Sequence, residues 1–308
     1  MTEAVLLDSV LKVYEEEAGQ RVVAVDHLSL SIQKGEIFAL VGPDGAGKTT
    51  TIRMMCGVLP PTEGSVEILG MKMRTERNAI KQRIGYLSQR FSLYGDLTVD
   101  ENIDFFAEIH RVDNFRARKE ELLQFTRLTS FRNRLVDRLS GGMKQKLALA
   151  CTLIHAPELI FLDEPTTGVD PVSRRDFWRI LSSLLKSGIT IVVSTPYLDE
   201  AERSTRVALL HEGKLLMCDR PERIKASFAS DVVEVVADDA RRAVVVLNAS
   251  SGEFSAQLFG DRLHVVLPKG KATLDRLQKI LQQENIRVVR TRQIVPSLED
   301  VFISRITS

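Results

Sequence analysis

The chain has 308 residues, enough for one large domain and a smaller one, and 44% of them are hydrophobic, enough for a sizeable core. Its 42 Lys+Arg and 41 Asp+Glu nearly cancel, so global charge gives no reason to expect nucleic acid or an anionic surface as a partner. The three cysteines, Cys56, Cys151 and Cys218, lie too far apart for metal-ligand spacing; free buried thiols in a reducing compartment are expected, rather than a disulfide framework or a zinc site.

No basic region followed by an apolar run opens the chain, and no apolar stretch approaches the roughly 20 residues that span a bilayer, so a soluble, cytoplasmic polypeptide without a signal peptide is expected. In chain order, Val22–Val25 and Leu28–Ile32 read as strands, with Tyr14 and the polar loop Glu15–Gln20 ahead of them. Lys34-Gly35-Glu36 turns the chain into the apolar run Ile37–Val41, which has the look of a buried strand.

Gly42-Pro43-Asp44-Gly45-Ala46-Gly47-Lys48-Thr49 follows that strand and fits the phosphate-binding pattern of glycine, four residues, then Gly-Lys-Thr. Gly45 and Gly47 let successive backbone N–H groups converge on an anion, and the helix expected over Thr50–Met55 adds its positive dipole end. Lys48 then meets the outer phosphates, and the Thr49 hydroxyl is placed to ligate magnesium.

Pro60–Gly64 is a turn and Ser65–Gly70 a strand; Ile84–Gln89 reads as a strand ending in a polar residue. A helical region is expected from about Thr98 to Arg134, with Thr98 and Glu101 as a capping box. Ser140-Gly141-Gly142 opens a helix through Cys151 and forms a second anion-receptive turn. Leu159–Leu162 is a strand ending in Asp163-Glu164-Pro165, Val172–Lys186 a helix, and Ile189–Ser194 a strand. Alternating strands and helices imply a mostly parallel sheet with its ligands at the strands' carboxyl ends, where the phosphate loop, Gln89 and Asp163-Glu164 all fall. Asp163 suits the magnesium shell and Glu164 the polarising of water, although Asp-Glu-Pro taken alone is equally a solvated loop. Beyond Ser227–Ser230 the composition shifts: Val232–Val236, Ala243–Leu247, Leu263–Leu267 and Arg287–Val289 read as strands, and Leu274–Leu281 as an amphipathic helix.

Gly42–Thr49, Gln89, Leu139-Ser140-Gly141-Gly142-Met143, Leu162-Asp163-Glu164-Pro165 and Gly168-Val169-Asp170-Pro171, in that order, resemble the ATP-binding subunit of an ABC transporter over about the first three quarters of the chain. The segment Gln89–Asn102 and the ending Pro296-Ser297-Leu298-Glu299-Asp300-Val301-Phe302 resemble drug-export ATPases of the ABC-2, daunorubicin-resistance type. The Gly42-Pro43-Asp44 variant and the switch position that holds Pro196 in place of a histidine together resemble the first ABC half of tandem multidrug exporter ATPases.

The resemblance implies an α/β fold. It would be a P-loop NTPase core with an antiparallel β subdomain and a helical subdomain at about 90–155, together making residues 1–228, plus a small C-terminal α+β domain, 229–308. It implies ATP and Mg2+ as ligands. Tyr14 would stack on adenine, though it is equally an ordinary half-buried strand tyrosine. Gly42, Asp44, Gly45, Ala46 and Gly47 would cradle the phosphates, which Lys48, Thr49 and Thr50 would bind together with the magnesium. Gln89 would sense metal and water, Asp163 would stabilise magnesium, and Glu164 would be the catalytic base.

Ser140, Gly141 and Gly142 would face ATP held by a second ABC domain, in a homodimer, a heterodimer or a tandem half. Phe91, Leu93 and Tyr94 would form the groove for a cytoplasmic helix of an integral membrane ABC-2 permease, which would hold the chain peripherally at the inner face of the membrane, or would simply pack the edge of the helical subdomain. The family usually shows a histidine after the strand ending at Ser194; Pro196 stands there and offers no side-chain donor, which weakens the case for fast hydrolysis. The expected function is ATP hydrolysis powering export. The alternative is a non-transport or regulatory ABC ATPase with slow turnover.

Overall fold

A computed structural model describes residues 2–15, 21–89, 93–228, 230–250, 254–267 and 271–307. The expected polar loop at 16–20 and Phe91 lie outside the described residues. Two compact units divide the chain, Met1–Asp219 and Arg220–Ser308. The division falls ahead of the expected 228/229 because a short helix, Pro221–Ala226, packs within the second unit.

In the first unit, β1 (Glu3–Glu15) and β2 (Arg21–Gln33) pair antiparallel over thirteen residues each. After β3 (Ile37–Val41) and α1 (Lys48–Met55) come β4 (Glu63–Ile68) and β5 (Met71–Lys72), which complete an antiparallel sheet in the order β2-β1-β4-β5. Then α2 (Met73–Arg83) leads to β6 (Ile84–Leu87), and the helices α3 (Val99–Ile109), α4 (Arg116–Phe125) and α5 (Gly141–Leu153) precede β7 (Leu159–Asp163). The unit ends with α6 (Pro171–Lys186), β8 (Thr190–Thr195), α7 (Leu198–Ala201), β9 (Arg206–His211) and β10 (Lys214–Asp219).

The second sheet has the order β10-β9-β3-β8-β7-β6, parallel from β9 to β6, with β10 added antiparallel. Every residue of β3, β7 and β8 is buried, the mark of a parallel sheet covered on both faces. One core joins α1, the antiparallel sheet and a face of the parallel sheet: Ile52 and Met55 pack with Val5, Ile32, Phe38, Phe161 and Val192. Each such side chain gains roughly 1.5–3 kcal/mol on full burial. This core fixes the start of α1 against the ends of β3 and β7.

The expected helical region after Thr98 is interrupted. Arg111 and Asn114 take positive φ between α3 and α4, which no continuous helix tolerates. The capping box at its start is present: Thr98 Oγ1 accepts from Glu101 N–H at 3.2 Å, and Glu101 Oε2 accepts from Thr98 N–H at 2.8 Å. The Thr98 N–H and the Thr98 hydroxyl, the latter at 2.7 Å, both donate to Glu101 Oε2 and hold the Glu101 carboxyl below its usual range. Cys56 and Cys151 are buried, Cys218 is half-buried, and all three are free. Among the described residues no helix is long and apolar enough to cross a membrane.

The second unit runs α8 (Pro221–Ala226), β11 (Asp231–Ala237), α9 (Ala240–Ala249), β12 (Ser255–Phe259), β13 (Arg262–Leu267), α10 (Lys271–Gln283), β14 (Val288–Ile294) and α11 (Leu298–Thr307). Its antiparallel sheet, ordered β12-β13-β11-β14, is covered on one face by α9 and α10, which pack on Val233, Val235, Leu263 and Val265. The run Ala243–Leu247, which reads as a strand, is part of helix α9. Asp239 caps that helix by accepting from Arg242 N–H at 3.0 Å, and Ala243 and Leu247, four apart, are buried on one side. A five-residue apolar run does not distinguish a strand from a buried helix segment, and here the cap decides. The ending Pro296–Phe302 starts α11 through a second reciprocal cap: Ser297 N–H donates to Asp300 Oδ2 at 2.7 Å, and Asp300 N–H donates to Ser297 Oγ at 3.2 Å. His264 Nδ1 lies 3.1 Å from Asp300 Oδ1 and ties this helix start to β13.

Candidate nucleotide site

The parallel strands deliver their carboxyl ends to one place. After β3 the chain tightens with Ala46 N–H on the Pro43 carbonyl at 3.1 Å, and Gly45 (φ 82) and Gly47 (φ 92) turn it into α1. Gly47 is held by space as well as by φ, since a Cβ there would sit 2.5 Å from the Ala24 carbonyl. Asp44 and Gly45 are exposed at the loop tip, Thr49 and Thr50 are half-buried, and Lys48 is buried at 4% exposure.

Lys48 Nζ donates to the Gly42 carbonyl at 2.8 Å and the Pro43 carbonyl at 3.0 Å, and lies 3.2 Å from Glu164 Oε1. Glu164 Oε2 accepts from Gln89 Nε2 at 2.9 Å and from Thr167 Oγ1 at 3.3 Å. Glu164 itself has φ 46, an uncommon conformation for a residue with a side chain and one that costs of order 1–3 kcal/mol. Its N–H donates to Ser194 Oγ at 2.9 Å, which holds the turn at the end of β7.

Asp163 accepts from Thr49 Oγ1 at 3.0 Å and Ser194 Oγ at 2.7 Å, both on Oδ1, while the buried Oδ2 has no hydrogen-bond partner. Burial raises the Asp163 carboxyl above the ordinary Asp range, with the neighbouring Glu164 charge adding to it, and the two hydroxyl bonds oppose the rise. Among the described residues no group of three or more His, Cys, Asp and Glu side chains is gathered for a metal ion. The Thr49 hydroxyl and the Asp163 carboxylate are instead a partial set of hard oxygen donors, and the orphaned Oδ2 is the atom a divalent cation would satisfy.

Of the residues expected from sequence, the structure brings together Gly42, Lys48, Thr49, Gln89, Asp163 and Glu164. Among the described residues no hydrogen bond joins Tyr14 or Ser140–Gly142 to this cluster. Tyr14 is 37% exposed, with Lys12 Nζ 5.4 Å from its ring centre. Ser140 caps α5 by accepting from Met143 N–H at 3.3 Å. Gly142 packs against α6 so closely that a Cβ would sit 2.6 Å from the Ser173 Cβ, so its lack of a side chain has a packing cause.

Sequence reasoning missed Ser194, which bonds both Asp163 and Glu164, and Thr167, which donates to Glu164. The signal for Ser194 was the one that identified Asp163, a polar residue ending an apolar strand. Also missed was buried Glu200, whose Oε2 accepts from Thr166 Oγ1 at 2.6 Å and Thr195 Oγ1 at 3.2 Å, and whose Oε1 lies 3.5 Å from Arg174. This cluster holds the two ends of β8's outgoing turn, where Pro196 lies.

Two family descriptions match the chain: ABC transporter over residues 25–167, and ATP-binding protein DrrA1-3-like, C-terminal domain, over residues 220–306. The daunorubicin resistance ATP-binding protein DrrA2 of Streptomyces coeruleorubidus is 33% identical over 287 residues, which are 91% of this chain and 89% of that protein. The probable multidrug ABC transporter ATP-binding protein YbhF of Escherichia coli (strain K12) is 44% identical over 211 residues, 68% of this chain, but the match spans 36% of the length of YbhF. Among solved structures, the dimeric post-hydrolysis state of the ATP-binding cassette MJ0796 bound to ADP and Pi is similar at TM-score 0.64 and 29% identity, covering 70% of this chain and 98% of that one. With this phosphate loop and its carboxylates at the ends of a parallel sheet, the chain belongs to the nucleotide-binding ATP-binding subunits of ABC transporters.

Proposed function

We propose that the chain hydrolyses ATP to power export of a substrate, drug-like or amphipathic, through a separate ABC-2 type membrane permease. The observation that carries this is the convergence of Lys48, Thr49, Asp163, Glu164 and Gln89 on one hydrogen-bonded cluster beside the phosphate loop. The names of the relatives support the export reading: multidrug transport for YbhF, daunorubicin resistance for DrrA2, and Nod factor export for a protein of Sinorhizobium fredii (strain NBRC 101917 / NGR234) at 36% identity over 97% of this chain.

In this reading the phosphates enter the loop over Gly42–Gly47 and take Lys48 from the Gly42 and Pro43 carbonyls, while Thr50 adds its hydroxyl and Tyr14 stacks on adenine. Glu164 accepts the proton of the attacking water. Gln89 and Thr167, both donating to Oε2, aim its carboxylate. Thr49, Asp163 and Gln89 would hold Mg2+, which when bound supplies charge neutralisation at the outer phosphates. Ser140, Gly141 and Gly142 face nucleotide held by a second ABC domain.

A groove beside Leu93 and Tyr94 takes the permease's cytoplasmic helix and keeps the chain at the inner face of the membrane. The cavity there, of about 260 Å³, is lined by Leu93, Tyr86, Phe106 and His110. Pro196 supplies no side-chain donor at its turn, which favours slow turnover at this site. The near-neutral charge gives nucleic acid no purchase.

The test is capture of the full chain carrying Glu164→Gln from solubilised membranes with ATP. An ABC-2 permease and a second ABC domain are the expected companions. Recovery of ribosomes or DNA with no integral membrane protein refutes export.

Metal binding should depend on pH in a direction fixed by Asp163. A proton and a cation compete for its carboxylate, and burial raises its affinity for the proton. Mg2+ affinity should therefore begin to fall, as pH is lowered, at a higher pH than for an exposed Asp near 3.9. Stability of the metal-free chain follows the same shift. The contribution from protonated Asp163 is complete below about 3.9 and lost as pH rises through the raised value. Calorimetric Mg2+ titration across that window checks the first, and thermal unfolding without metal the second.

A further inference from the structure

The second unit's sheet has two edge strands, and they are treated differently. The outer edge of β12 is capped at Ala256 by α9: Asn248 Oδ1 accepts from Ala256 N–H at 2.8 Å, and Asn248 Nδ2 donates to the Ala256 carbonyl at 2.9 Å. That one amide imitates a neighbouring strand. At the other edge, among the described residues, no side chain bonds the backbone of Val288–Ile294. An open edge of this kind is a template for another extended chain.

The side chains along β14 state what that chain should carry. Arg290, Arg292 and Gln293 are exposed, Arg287 precedes them, and Val289 is 63% exposed. Glu234 draws on Arg292 but is already held by Arg262 at 3.0 Å, so the cations exceed the local carboxylates. Beside the strand lies a cleft of about 570 Å³, with Gln278, Gln282 and Asn285 opposite Val289 and Arg290. The amides there can bond an added backbone, and Val289 offers it an apolar contact.

We propose that β14 is a strand-addition site for an extended acidic segment of another polypeptide. A second copy of this chain fits poorly. Antiparallel pairing of β14 with itself about Thr291 sets Arg290 opposite the copy's Arg292 twice over, and like charges directly opposite are destabilising.

The test uses the full chain and a fluorescent octapeptide alternating Glu and Val, followed by anisotropy. Saturable binding is expected, with none for a Lys/Val peptide. N-methylation of one alternate set of peptide amides should abolish binding while the other set is tolerated, because a strand presents alternate amides to its neighbour. Arg290→Glu with Arg292→Glu should weaken the acidic peptide about tenfold or more and shift preference towards Lys/Val. Absence of saturable binding overturns the proposal. So does equal tolerance of both methylated sets on the unaltered chain, which would leave charge alone as the attraction, and so does displacement of β14 contacts by self-association. ATP hydrolysis does not enter any of these readouts.

Discussion

Glu164→Gln is expected to lower steady-state ATP hydrolysis about 100-fold or more while nucleotide still binds, the range that removal of a general base gives. The geometry makes this a narrow change. A glutamine keeps an oxygen for Gln89 and Thr167 to donate to, and keeps the backbone turn that Ser194 holds. What it loses is the ability to take a proton and the negative charge 3.2 Å from Lys48. Phosphate release under saturating ATP measures the first loss, and equilibrium binding of a fluorescent nucleotide measures what remains. A variant that hydrolyses ATP at the original rate would remove Glu164 from the role of base. Single-turnover measurement is the better readout if turnover is as slow as proposed above, since there the chemical step is seen without product release.

The parts of this site that were legible in the sequence are those where a residue type conflicts with its surroundings. Asp163 stands out because a carboxylate ends a wholly apolar strand, and Lys48 because it follows the glycines of a turn. Ser194 and Glu200 carry the same kind of signal more faintly: a hydroxyl stands one residue before the end of β8, and a carboxylate is buried in α7. What no residue pattern states is the backbone's share. Lys48 rests on two carbonyls of its own loop, and the φ of Glu164 turns its side chain towards that lysine. The α2 helix and the β9–β10 hairpin escaped notice. The hairpin's turn, Glu212-Gly213, has positive φ at both residues, and its glycine was a readable cue. In the second unit the apolar run Ala243–Leu247 misled because β-branched residues suit a strand, while the helix-deciding cap lies four residues earlier at Asp239.

Lys48→Met should separate two effects that meet at one ammonium group. Its three bonds are to acceptors of unlike kind, two loop carbonyls and a carboxylate. Removing it takes a charged donor from the incoming phosphates, and nucleotide affinity should fall about 10- to 100-fold. It also leaves Glu164 buried, at 7% exposure, with two neutral donors and no cation; breaking one side of a buried pair costs about 3–5 kcal/mol. The variant should therefore unfold at lower temperature even without nucleotide. Lys48→Met with Glu164→Gln removes the unpaired charge and should regain most of that stability without regaining affinity. Thermal unfolding and nucleotide titration of the four proteins in this cycle give both quantities. If Lys48→Met is as stable as the original chain, the 3.2 Å pair contributes no net stability, and the lysine's place at the loop must be explained by phosphate alone.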